Sequence, residues 1–168
     1  MIWLYIIIFI FGLTFLYAAW RAAPWLPMRA NDVERALSLA KIQLGEKFYD
    51  LGAGDGRTLL AAAAEGAIAE GFEISLFPYL LAKLKIIFSK NKNKPKIYFR
   101  DFWRINLGEA DVIFVFLMPR IMQKLKEKME KELKPGARII CYTFLMPGWQ
   151  PAAVGDIPGR PKIYLYQR

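Results

Sequence analysis

An open, mostly parallel α/β sheet with helices on both faces is the fold the sequence predicts, preceded by one apolar helix. Short runs rich in β-branched and aromatic residues alternate with longer helical segments from Asn31 to the C-terminus. That alternation is the pattern of parallel strands joined by crossover helices. The first such run ends in "YDLGAGDGR", residues 49 to 57, an aspartate followed by glycines on alternate positions. Ligands of these sheets bind at the carboxyl ends of strands, where the strand order reverses. A third observation concerns residues 1 to 20, "MIWLYIIIFIFGLTFLYAAW", which contain no charged side chain.

A stretch of that length, at ~1.5 Å per residue, spans the ~30 Å hydrocarbon core of a bilayer. A secretory signal would have a basic start and a shorter apolar run, and no Lys or Arg precedes this one. Trp3, Trp20 and Trp25 flank it as interfacial anchors, with Arg21 and Arg29 just beyond. The expectation is a transmembrane anchor over residues 1–20, a linker over 21–30, and one domain over 31–168 on the cytoplasmic side or in an equivalent compartment.

Within that domain, Asn31 with Glu34 three residues on resembles a capping box opening a helix through about Ile42. "KFYDL" is the first strand. The alanine-rich segment from Arg57 to Glu65 is helical and stops at Gly66. "AIAEGFEI" is a second strand ending near Glu73, and Ser75 caps a helix from about Leu76 to Ser89. "KIYFRD" is the third strand. "DVIFVFLM" is the fourth and the most apolar, as a strand covered on both faces must be. Pro119 opens an amphipathic helix that turns Ile121, Met122, Leu125, Met129 and Leu133 to one side. "ARIICYTF" is the fifth strand, residues 145 to 161 are rich in Pro and Gly, and "KIYLYQ" is a sixth strand.

Composition removes whole classes of chemistry. There is no histidine, which takes away the commonest metal ligand and the usual general base, so zinc hydrolysis and Ser-His-Asp catalysis are excluded and no metal is expected. The single cysteine, Cys141, excludes an internal disulfide, and its apolar neighbours read as an inert buried thiol. Net charge is +9, all of it after residue 20. Part of it is in "SKNKNKPK", residues 89 to 96, a solvated loop or an attraction to anionic headgroups or nucleic acid.

The glycine loop selects among nucleotide ligands. A triphosphate loop needs G-x-x-x-x-G-K-[ST], which is absent. The dinucleotide pattern G-x-G-x-x-G/A puts Arg57 or Leu59 at its third place and fails. An acid two residues before G-x-G-x-G instead fits the zwitterionic S-adenosyl-L-methionine. Asp50 can accept from its ammonium while Gly52, Ala53, Gly54 and Gly56 bring the backbone close. Glu73, followed by Ile74, ends the second strand where a ribose needs an acceptor. Asp101 follows the third strand and can take the adenine amino group, with Phe102 packed on the ring.

From about Asn31 onward the chain resembles class I S-adenosylmethionine-dependent methyltransferases. More narrowly, it is similar to the family of the ATP synthase c-subunit lysine methyltransferase. The matching pieces are "YDLGAGDGR", "GFEIS", "DFW" with "NL" close behind, "DVIFVF" followed by Pro119, "LKPGARII" and "PGWQP". The resemblance implies a Rossmann-like methyltransferase domain over 31–168 and gives cofactor roles to Asp50, Gly52, Gly54, Glu73 and Asp101. It implies a protein lysine as substrate, in a membrane protein such as an ATP synthase c-subunit. One departure is that no helix is evident between the fifth and last strands. A lysine must lose its proton before transfer, which an apolar channel favours. Trp103, Phe116, Leu117 and Trp149 are the candidate walls, while Tyr49 and Tyr142 are strand residues able to orient a proton. No catalytic residue is assigned. The competing readings are a small-molecule or lipid methyltransferase and a non-catalytic cofactor-binding module. A nucleic-acid substrate is disfavoured because the place after the fourth strand reads "FLMPR".

Overall fold

The computed structural model describes residues 1–168 apart from Ala22 and Pro24, and apart from the side chains of Ile7 and Ala19. The linker reading therefore lies partly outside the described residues. In chain order the elements are α1 (Ile2–Arg21), α2 (Ala30–Ala40), β1 (Lys47–Leu51), α3 (Arg57–Ala64), β2 (Ile68–Glu73) and α4 (Leu76–Phe88). Then come β3 (Lys96–Phe99), β4 (Val112–Val115), α5 (Pro119–Glu132), β5 (Arg138–Tyr142), β6 (Ala153–Gly155) and β7 (Ile163–Gln167), with a 3₁₀ turn at Phe102–Arg104.

The sheet has seven strands in the order β3-β2-β1-β4-β5-β7-β6. The first five are parallel, and β7 runs antiparallel to both β5 and β6. The strand order reverses at β1, which pairs with β2 on one side and β4 on the other. The crevice between β1 and β4 is thus the switch point, and the glycine loop rises from its carboxyl end.

Alternation along β4 divides the core in two. Ile113 and Val115 join Ile139, Cys141 and the α5 residues Met122, Leu125 and Met129. Val112 and Phe114 join Phe48, Ile140, Val33 and Leu37 of α2, and Leu59 and Ala62 of α3. The period of two puts successive side chains on opposite faces, and both faces are covered. The β-rich run at the fourth strand could not have been half-solvated.

Three local expectations change. A seventh strand is present, because three residues of the Pro/Gly-rich tail form β6 at the sheet edge. The capping box does not form: α2 starts at Ala30, Arg29 holds the N-cap position, and no side chain caps it. Ser75 does hold the N-cap of α4, but its hydroxyl caps nothing.

The larger correction concerns the N-terminus. Among the described residues no helix is long and apolar enough to cross a membrane. This overturns both the transmembrane anchor at residues 1–20 and the single-pass membrane placement that rested on it. The contacts of α1 give a physical reason. Phe11 meets Phe77 edge-on at 6.1 Å, Thr14 Oγ1 accepts from the Leu76 amide at 3.4 Å, and Arg120 donates to the Trp20 carbonyl at 2.8 Å. Arg21 pairs with Asp101 at 2.6 Å. The second half of α1 is therefore laid on the domain. The part before Phe11 reaches only about 14 Å at ~1.5 Å per residue, half of a ~30 Å core.

Candidate active site

A cavity of about 530 Å³ opens at the carboxyl ends of the central strands, within the range that holds a small-molecule ligand. Its floor is the glycine loop. The Gly52 and Ala53 amides donate to the Phe72 carbonyl at 2.9 and 3.1 Å, which ties the loop's start to β2. Gly54 sits at φ 53°, and a Cβ there would lie 2.8 Å from the indole of Trp25. Only glycine meets both demands. Gly56 serves the packing of helices. A Cβ there would lie 3.0 Å from that of Ala82, so its bareness lets α3 start against α4.

The acids differ sharply in environment. Asp50 is buried at the end of β1 and accepts from the Thr58 hydroxyl. Burial pushes its pKa up to about 7, the charges of Glu73 and Asp55 add to this, and the Thr58 bond opposes it. Glu73 is also buried, and burial raises its pKa against the pull of three backbone donors. Its Oε2 accepts from Gly54 N at 2.9 Å, and its Oε1 from Ile74 N at 2.9 Å and Ser75 N at 2.7 Å. Glu73 therefore fastens the tip of the glycine loop to the start of α4. Asp55 is held down to about 2, since the Arg57 and Lys85 charges outweigh its burial. Its carboxylate accepts from Arg57 across both oxygens, Nε on Oδ1 at 2.9 Å and Nη2 on Oδ2 at 2.6 Å, and Lys85 shares Oδ2, bracing the loop without facing a ligand alone.

Of the residues expected from sequence, the cavity lining brings together Asp50, Gly52, Ala53, Gly54, Glu73, Ile74 and Phe102 with the channel candidates Phe116 and Leu117. Asp101 lies on a neighbouring cleft with Leu13, Tyr17 and Phe99, where its Oδ2 pairs with Arg21 and its Oδ1 accepts from Trp103 N at 3.0 Å. Trp103 and Trp149 are not in the described lining. Trp103 lies under the Lys124 ammonium at 4.8 Å, and Trp149 donates to Glu130 Oε1 at 3.1 Å. Sequence reasoning missed Trp25, Met28, Arg29, Thr58, Ser75 and Thr143, which all line the cavity. Trp25 and Arg29 resemble membrane flanks in the bare sequence, which hides their place in this wall. Thr143 adopts φ 75°, an unusual choice for a β-branched residue, and nothing in the sequence signals it.

Residues 50–153 match the model of the ANTKMT methyltransferase domain. The chain belongs to that family. It is 32% identical over 148 residues to a protein-lysine N-methyltransferase of Saccharolobus islandicus, covering 85% of this chain and 92% of the relative. It is 36% identical over 145 residues to the adenine nucleotide translocase lysine N-methyltransferase of Mus musculus, covering 85% and 62%. It is 28% identical over 128 residues to the ATP synthase c-subunit lysine N-methyltransferase of Homo sapiens, covering 76% and 54%. The chain thus spans most of the Saccharolobus relative and little more than half of the mammalian ones. Among solved structures it is similar to an RNA methyltransferase from Salinibacter ruber in complex with S-adenosyl-L-homocysteine. That match has a TM-score of 0.80 and 28% identity over 84% of this chain and 93% of the other.

This family member is a methyltransferase, and its cofactor is S-adenosylmethionine. The residues present fit that group. Ser75 Oγ is buried in the cavity wall beside Glu73 with no partner among the described residues, so the wall holds a polar atom in want of a ligand's.

Proposed function

We propose that this chain transfers a methyl group from S-adenosylmethionine to the side-chain amine of a lysine in a protein substrate. One observation carries the reading: the cavity is acidic on its β1–β2 side and mainly apolar where β4 and β5 end, with Tyr142 and Thr143 as the polar members there. Asp50 and Glu73 stand on the first side, and Phe116, Leu117, Met118 and Phe144 on the second. A cationic, hydroxylated cofactor suits the first wall. An amine that must arrive uncharged suits the second, because burial among apolar groups favours the neutral form.

In this reading Asp50 accepts from the cofactor's ammonium, and the amides of Gly52, Ala53 and Gly54 lie along its methionine and ribose portions. Glu73 and Ser75 take ribose hydroxyls, Ile74 and Phe102 pack on the adenine, and Asp101 reaches the adenine amino group from the neighbouring cleft. The bound cofactor supplies an electrophilic methyl on sulfonium. The protein's work is to align the amine and exclude water, which Phe116 and Leu117 do by filling the wall around it. No general base is required of the chain.

The names of the Saccharolobus, mouse and human relatives support a lysine target. The Salinibacter structure is of an RNA methyltransferase, and the apolar "FLMP" after β4 favours an alkyl amine over a stacked base. Incubation of the full chain with methyl-labelled cofactor, lysine peptides, their Lys→Arg counterparts and total RNA tests the reading. Label should follow lysine. Label confined to RNA, or none beyond background with the cofactor bound, would overturn it.

A further inference from the structure

One polar group on the substrate side of the cavity has its proton already committed. Tyr142, at the carboxyl end of β5, lines the cavity and is 6% exposed. Its hydroxyl donates to Asp32 Oδ2 at 2.9 Å. Asp32 is in the first turn of α2 and is fully buried, yet it is no part of any site expected from sequence. Its Oδ1 accepts from Arg35 Nη1 at 2.8 Å, and Arg160 Nη1 stands 3.7 Å away. Burial works against the Asp32 charge, but Tyr142, Arg35 and Arg160 together hold its carboxyl below the ordinary value.

An ionised carboxylate accepts hydrogen bonds and cannot donate them. The proton between the two residues therefore belongs to Tyr142 and points at Asp32. Any other group that meets the phenol oxygen meets lone pairs. Phe116, the residue following β4, holds the ring edge-on at 4.8 Å and 88°, which fixes where that oxygen sits. The cavity lining it shares includes Phe116, Leu117, Met118 and Phe144, and the charge of Arg29, a donor and not an acceptor, also acts on the phenol. An amine entering there carries N–H groups and meets few acceptors, and an unpaired buried N–H is costly.

We infer that Tyr142 is the acceptor that orients the incoming lysine amine, and that Asp32 is its positioning residue. An N–H of the amine donates to Tyr142 Oη, which leaves the nitrogen lone pair free to face the methyl. Tyr142 neither gains nor loses a proton. Asp32 never touches the amine; it keeps the phenol's own hydrogen turned away from the cavity. This inference rests on the lysine reading above, since an acceptor at that wall has no role toward a target without N–H groups.

The test compares the full chain with Tyr142→Phe and Asp32→Asn. KM and kcat are measured separately for S-adenosylmethionine and for poly-L-lysine, and calorimetry with S-adenosylhomocysteine reports the cofactor half of the site. Tyr142→Phe should raise KM for poly-L-lysine, or lower kcat over that KM, about tenfold, with KM for the cofactor within twofold of the parent. Asp32→Asn should move the same parameter in the same direction. If Asp32→Asn does not fold, Tyr142→Phe decides alone, because it leaves Asp32 paired with Arg35 and Arg160. A purely structural role would lower thermal stability and the active fraction without separating the two KM values. That result, or unchanged lysine kinetics, overturns the inference while the proposed function stands. A parent that binds S-adenosylhomocysteine and methylates no lysine overturns the lysine reading, and this assignment with it.

Discussion

Replacing Glu73 with Gln should loosen the glycine loop and the cofactor site together. The carboxylate accepts three backbone N–H groups, from Gly54, Ile74 and Ser75. A glutamine keeps one acceptor oxygen, and its amide nitrogen must face a donor. The smaller loss is to face Gly54, since the other oxygen serves two amides. One charge-assisted bond, worth roughly 1.5–3 kcal/mol, is then replaced by a donor against a donor, and two more fall to neutral strength. Against this, the neutral amide escapes the cost of burying a charge, the cause that raises the Glu73 pKa most. A net loss of ~2 kcal/mol remains, which for a chain of this length lowers Tm by about 4–8 °C. Cofactor affinity should fall more than tenfold, because the loop that approaches the ligand is the part released. Differential scanning calorimetry and titration with S-adenosylhomocysteine read both quantities. Weakened binding with the parent's Tm would show that the carboxylate touches ligand but holds no loop. Parent values of both would mean that Glu73 neither holds the loop nor contributes to the cofactor site.

Asp50 gives the site a pH dependence. Its folded pKa of about 7 lies above the ordinary 3.8, so the folded chain holds an extra proton between those values, and stability falls as pH rises through that window. Binding an ammonium requires the ionised form, so S-adenosylhomocysteine binding at pH 6 should release about one proton, read by calorimetry in two buffers. Asp50→Asn should abolish that release, and its persistence would place the proton elsewhere. Gly54→Ala would meet the Trp25 ring at 2.8 Å in a left-handed conformation, so Trp25 fluorescence should shift and cofactor affinity fall. Thr143→Gly should relieve the φ 75° strain and raise stability by ~0.5–1 kcal/mol in thermal unfolding. Leu125→Ala, in the fully buried face of α5, should cost about 2–5 kcal/mol in chemical denaturation.

The strands that build the site are legible because each is a local pattern. The runs ending in Asp50 and Glu73 are bounded by turn residues, and an acid at a strand's end must stand at the carboxyl edge of a parallel sheet. The edge strand β6 is hidden because three residues carry no measurable period. Sequence could not tell that Trp103 and Trp149 stand outside the described cavity lining, because a side chain in a loop has no direction until its neighbours are known. Asp32 looks like an ordinary first-turn acid, and only the packing of α2 on β5 brings it to Tyr142. For α1, composition registers apolar length but cannot see Phe77, Leu76 and Asp101 waiting on the domain. Sequence presents Glu73 as a ribose acceptor alone, since its backbone partners exist only once the loop has turned.

If the chain acts on a protein lysine as proposed, the methyl group of S-adenosylmethionine ends on a lysine side-chain nitrogen. The most direct measurement is chemical identification of the product. The full chain is incubated with methyl-labelled cofactor and a lysine-bearing protein mixture, the protein is hydrolysed in acid, and the labelled amino acids are separated. The expected result is label in ε-N-methylated lysine, lost in Asp50→Ala. Label recovered in nucleotides, in lipid or in an amino acid other than lysine would contradict it.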